Sequence, residues 1–129
     1  GQSCYNALRV DAARSLSAWL ATHPTGTIDS DVLIVGDLNA YSKEDPIRLL
    51  GESGFTPAND ERSYSFNWGG ASGTLDHVLV TASVRAQLRG LAHWHINSDE
   101  LPEFDYNLDN KPRSADARLF RSDPFRSAD

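Results

Sequence analysis

The chain contains no methionine, a single cysteine and no long apolar run, and each absence closes off a class of protein. No stretch approaches the ~20 apolar residues that span a bilayer, so a membrane-spanning helix is not expected. The opening Gly1-Gln2-Ser3-Cys4-Tyr5 has neither the basic patch nor the apolar core of a signal peptide. With Gly rather than Met at position 1, the chain reads as a processed or excised piece. A lone Cys4 rules out an internal disulfide and leaves two alternatives, a buried thiol or a pairing with a cysteine outside the chain. Basic residues are outnumbered 12 to 18 by acidic ones, for a net charge of −6. That is the wrong sign for a protein that grips nucleic acid over a broad basic surface. It suits an acidic site whose charge a divalent cation offsets, and equally a soluble acidic domain without chemistry. No Walker loop, dinucleotide fingerprint or G-x-S-x-G elbow is present.

What is present is enough for one ordinary domain: 129 residues, 40% hydrophobic, with three Trp, four Tyr and five Phe. Residues 6–22 predict an amphipathic helix capped by Asn6, with Leu8, Ala12, Leu16, Trp19 and Leu20 on its apolar face. Pro24 and Gly26 end it. Residues 31–35, Asp-Val-Leu-Ile-Val, predict a strand too continuously apolar to be half exposed, so cover is expected on both faces. Asp45-Pro46 starts a short second helix that stops near Gly54. Residues 63–68 and 74–81 read as two strands of a hairpin joined by the glycine-rich 69–73. Residues 83–90 can form one or two helical turns, and 91–97 a further strand. Beyond Ser98 the regular patterns fade into an acidic stretch and a loop-like tail. The mixture predicts an α/β or α+β domain with covered sheets.

Several side chains are candidates for chemistry. Gly36-Asp37-Leu38-Asn39 places an acid and an amide at the carboxyl end of a buried strand, where open α/β sheets gather their ligands. Asp37 can serve as general base or metal ligand, and Asn39 as donor to an anionic oxygen. Taken alone, the pair is more readily a turn. Asp76, early in the 74–81 strand, needs a hydrogen-bonding partner such as a histidine, or else is a hairpin-mouth acid bonded to a backbone amide. His77 follows it but points to the opposite face. His93 and His95, two apart, can hold a transition metal, though no third ligand stands at suitable spacing and an exposed strand face fits better. The acids of 99–109 lack the glycine and terminal glutamate of a calcium loop and read as solvated.

The order of these motifs adds what none carries alone. Helix, buried strand with "GDLNAY", aromatic "SYSF" and "TLDHVLV" together resemble the endonuclease/exonuclease/phosphatase superfamily over nearly the whole chain. "WHINSDE", "FDYN" and "DPFRSAD" further resemble its branch of large bacterial secreted nucleases. The resemblance implies part of a four-layer α/β/β/α sandwich of the DNase I-like type. It makes residues 1–129 a single partial domain, the C-terminal half, ending just before the histidine that the family's last motif places after its Asp. It implies metal-dependent phosphodiester hydrolysis of nucleic acid, DNA favoured, by a secreted, extracellular or periplasmic enzyme. Asp37 would orient and deprotonate the attacking water, Asn39 would hold a phosphate oxygen, and Asp76 would orient the absent histidine. Asp129 would bind Mg²⁺, or Mn²⁺ or Ca²⁺ in its place, while Tyr64, Trp68 and His77 are weaker candidates for lining the substrate groove. The partners implied are the nucleic acid and an upstream half of the same domain, with a possible disulfide from Cys4 and no membrane. The isolated chain is expected to show little activity. Three alternatives stay open: a phosphomonoesterase or lipid phosphodiesterase on the same scaffold, a non-catalytic module, or a piece that assembles with another chain over an exposed sheet face.

Overall fold

The computed structural model describes residues 4–60 and 62–95. Two compact units divide the chain, 1–93 and 94–129; of the second only Trp94 and His95 are among the described residues. The acidic 99–109 stretch, the closing motif with Asp129, and the end of the strand expected at 91–97 lie outside them.

The first unit opens with α1, Asn6–Leu20. The helix forms as expected, but its buried face is turned one position from the expected one. Ala13 is buried and Leu16 and Leu20 pack beside it, while Leu8 and Trp19 are exposed. Arg9 shares the inner face, where its charge is met by Glu44, and a charged side chain with a partner at that position is what a search for apolar spacing overlooks. Tyr5, with left-handed backbone, precedes the helix without any side-chain cap. The Asn6 amide, predicted to cap it, instead donates to the Asp45 carboxylate at 2.8 Å.

The strand β1, Leu33–Asp37, follows, then α2, Asp45–Glu52, with Pro at its first turn. The short β2, Thr56–Pro57, was not foreseen. Next come β3, Phe66–Trp68, β4, Ala71–Gly73, and β5, Asp76–Val80. The helix α3, Ala82–Gln87, matches the expected helical turns. Its Gln87 amide donates to the Asp31 carboxylate at 2.7 Å, and hydrogen bonds from Ser83 and Gln87 hold that carboxyl below its ordinary pKa. Residues 91–95 form no strand.

The hairpin is the main topological correction. Residues 63–68 pair not with 74–81 but with Ala71–Gly73, in the register Phe66↔Gly73 to Trp68↔Ala71. Ala, Ser and Gly have weak strand propensity, so only the neighbouring strand's hydrogen bonds make β4 a strand. This releases β5 to lie at the centre of a second sheet, β1-β5-β2, antiparallel to both neighbours.

One face of that sheet is packed. Ile34 and Leu79, opposite each other in register, join Ala13 of α1, Ile47 and Leu50 of α2, and Ala40 and Phe55 in one apolar cluster. The other face departs from expectation: Leu33 and Val35 stay 53% and 66% exposed. Because strand residues alternate between faces, one helical layer covers only every second residue of the apolar run.

Gly36 takes φ +150° next to the pair of interest, a conformation that side chains other than glycine's rarely adopt. Gly36→Ala should therefore destabilise the fold by about 1–3 kcal/mol through backbone strain, although a Cβ there meets no neighbour within 4 Å. A urea midpoint unchanged by the substitution would contradict this.

Candidate active site

The antiparallel register sets Asp37, the last residue of β1, directly opposite Asp76, the first of β5. Side chains so paired share a face with Cβ atoms about 4.5–5.5 Å apart. Both carboxylates are exposed. Like charges in that arrangement repel, and among the described residues no basic side chain pairs with either member of the rung. Sequence reading singled out both acids, and the fold brings them together.

The loop after Asp37 is held from three sides. The Asn39 amide nitrogen donates to Asp37 Oδ1 at 2.7 Å, which closes a tight turn and leaves Asn39 in left-handed backbone with φ 47°. Asparagine tolerates that conformation better than most residues. Leu38 N donates to the Leu75 carbonyl at 3.0 Å, extending the β1–β5 ladder by one bond. Arg9 Nη1 reaches across from α1 to the Asn39 carbonyl at 2.5 Å and to Glu44 Oε2 at 2.6 Å. The turn and the site are thus one structure: the bond that closes the turn also fixes the Asp37 carboxylate and the Asn39 backbone. The exposed Asn39 amide side chain has no partner among the described residues.

Arg9 is a site-supporting residue that sequence reading missed, its only signal being a polar residue on the inner helical stripe. Arg9→Ala removes two charge-assisted bonds, one of them to Glu44 in a partly buried setting. A loss of about 1.5–3 kcal/mol is expected, measurable by urea denaturation; a loss below ~0.5 kcal/mol would show that the ion pair is only superficial.

Asp76 is anchored through its backbone. Ser65 Oγ accepts from both Leu75 N and Asp76 N at 3.0 Å, which gives the second serine of "SYSF" a definite task. The Asp76 carbonyl accepts from His93 Nε2 at 2.9 Å, and the other ring nitrogen, Nδ1, is hydrogen-bonded to the Ser63 hydroxyl. His93 is thereby a backbone clip. His77 is buried, 2% exposed, on the face opposite Asp76, where its Nε2–H donates to the Ala40 carbonyl at 2.8 Å. Neither His77 nor His93 offers its ring to the Asp76 carboxylate. Tyr64 lines a hollow of about 440 Å³ with Tyr41 and Trp68, and His77 lies at the wall of an adjoining one. Cys4 is an exposed free thiol, not a buried one.

Carboxylate oxygens suit a hard cation, and Mg²⁺ commonly takes only one or two protein carboxylates beside water and substrate phosphates. The Asp37–Asp76 rung fits that donor chemistry. Among the described residues, no group of three or more His, Cys, Asp or Glu side chains is placed to hold a metal, so the rung supplies at most part of a coordination shell.

The domain is mixed α/β, and one end of its three-stranded sheet carries two opposed carboxylates beside the Asn39 turn. Residues 3–99 match the model of the endonuclease/exonuclease/phosphatase family. The chain belongs to that family, whose members are hydrolases acting on phosphate esters. No curated protein and no solved structure gives a match.

Proposed function

We propose that the domain serves a metal-assisted phosphodiesterase that cuts nucleic acid, DNA favoured, on the pattern of the large bacterial secreted nucleases. The observation that carries this reading is the Asp37–Asp76 rung with Asn39 locked beside it. Asp37 orients a water molecule and takes its proton as the water oxygen attacks phosphorus; the bond from phosphorus to the leaving ester oxygen breaks, and that oxygen takes a proton from solvent. Its Oδ1 is held by the Asn39 amide, so Oδ2 is the oxygen available to the water. The Asn39 side chain donates to a non-bridging phosphate oxygen. Asp76 orients a histidine and stabilises its charged form while that histidine neutralises the phosphorane-like transition state. Bound Mg²⁺, or Mn²⁺ or Ca²⁺, supplies positive charge at the phosphate. Asp129 is assigned to hold it. The histidine and a metal-binding glutamate are assigned to segments outside residues 1–129, as is a cysteine to pair with the exposed Cys4 in an oxidising, extracellular or periplasmic setting.

The test is a substrate panel given to the protein with its flanking segments: plasmid DNA, RNA, a phosphorylated lipid and a phosphomonoester, each with Mg²⁺ and with EDTA. DNA cleavage that EDTA stops is expected. Turnover of the monoester or the lipid alone would replace this reading with the corresponding phosphatase or lipid phosphodiesterase. No turnover of any of them would leave the Asp37–Asn39 turn purely structural.

A further inference from the structure

The loop that carries Asn39 continues through Tyr41, Ser42 and Lys43 into the wall of the 440 Å³ hollow. Its volume lies in the ordinary range of ligand sites, about 300–1,000 Å³. Across from the loop stand Arg62, Tyr64 and Trp68. Trp68, on the two-stranded sheet, is 75% exposed, far more than a core aromatic of this size needs to be. Tyr41 lies so close over Gly73 that a Cβ there would collide with its ring, so glycine in β4 is what admits the aromatic to the wall. An adjoining hollow of about 520 Å³ shares Ser42, Lys43 and Thr74 and reaches Arg85.

Charge in this region runs against that of the chain. Lys43 and Arg62 make no ion pair with any described carboxylate, in a protein of net charge −6. Asp60, in the wall of the adjoining hollow, accepts the Arg62 backbone N–H at 2.8 Å. Arg85 is occupied by the Ala58 carbonyl at 3.1 Å. Two uncommitted cations beside three aromatic rings form a combination suited to a ligand with both anionic and flat apolar parts. A nucleotide strand has both, and its bases reach aromatic side chains only when they are unpaired.

We infer that this trough binds single-stranded nucleic acid, with bases stacked on Trp68 and its neighbouring tyrosines and phosphates on Lys43 and Arg62. The inference rests on the phosphodiesterase reading for its use, because one loop joins the trough to Asn39, but binding itself requires no hydrolysis. It also accounts for how an acidic chain handles a polyanion: through one local patch, not a broad basic face.

The test is done in EDTA, with the 129-residue chain and a fluorescein-labelled oligodeoxythymidylate of about twelve nucleotides, within the footprint range of single-strand sites. The single strand should bind about tenfold or more tightly than a duplex of the same length, because the duplex keeps its bases from the rings. Trp68→Ala should weaken binding by about tenfold or more, and Trp68→Phe should restore most of it. Lys43→Gln with Arg62→Gln should lower the log–log salt slope by about 1.4. Trp68 is exposed, so its replacement leaves the core intact, which circular dichroism can check. Absence of single-strand binding, equal affinity for the duplex, or indifference to Trp68→Ala would each overturn the inference. Nucleic-acid hydrolysis by the longer protein combined with indifference to Trp68→Ala would overturn it and leave the hydrolytic reading standing. Binding that depends on Trp68, with no hydrolysis of any ester in the panel, would do the reverse.

Discussion

Asp37→Asn is expected to lower the rate of DNA hydrolysis by the protein with its flanking segments about 10²–10⁴-fold, the range attributed to a positioned general base. The substitution is chosen because it disturbs little else. The asparagine side-chain oxygen can still accept from Asn39 N, the bond that closes the turn at 2.7 Å. The loop, the Arg9 contact to the Asn39 carbonyl and the β1–β5 register should all survive. What disappears is the negative charge and the basic lone pair directed at the water. Stability should stay the same or rise slightly, since Asp37 and Asp76 are like charges directly opposite each other. Activity that falls while stability holds is the signature of a residue kept for function at some structural cost. The measurement is kcat on DNA alongside a urea midpoint. A loss of less than about tenfold would remove Asp37 from the role of base.

Leu79→Ala should destabilise the unit by about 2–5 kcal/mol, the range for a fully buried leucine in a packed core. Leu79 is 0% exposed and sits in the central strand of β1-β5-β2. It stands between Ile34 and Pro57 in register and belongs to the cluster that α1 and α2 contribute to. No side chain can relax into the vacated volume without leaving its own contacts, so the cavity adds to the lost burial. Leu33→Ala supplies the contrast. It lies on the same sheet but on the open face, 53% exposed, and should change stability by no more than about 0.5 kcal/mol. Denaturant unfolding of the two variants checks both values, and similar losses would mean that the open face is in fact packed in solution.

The two ends of the comparison between sequence and structure show where local reading works. Asp45-Pro46 announces a helix start because a fixed proline φ and an acid at the positive helix end are local physics, and α2 begins there. The apolar run at β1 announces a strand for the same kind of reason. Its open face could not be read, since an apolar run records burial in a fold but not which part of the fold supplies the cover. The phase of α1 was missed because Arg9 occupies the inner stripe, and its partner Glu44 stands 35 residues away. Strand β4 was missed because Ala-Ser-Gly has no local strand signal. The expected hairpin was displaced for that reason, and β5 moved to the sheet centre.

The site divides in the same way. Asp37, Asn39 and Asp76 are visible in the sequence as polar residues placed against apolar strands, and motif order ties them to a family that residues 3–99 match. By itself the sequence therefore determined the mixed α/β class and the family, and it named the candidate residues. That Asp37 and Asp76 share one rung was decided by the antiparallel β1–β5 pairing. That Asn39 is held by Arg9, Asp76 by Ser65 and His93, and Tyr41 over Gly73 was likewise decided only in three dimensions. The reason is physical: inventory and period are properties of a short stretch of chain. Register and side-chain anchoring depend on hydrogen bonds between segments tens of residues apart, which no local pattern encodes.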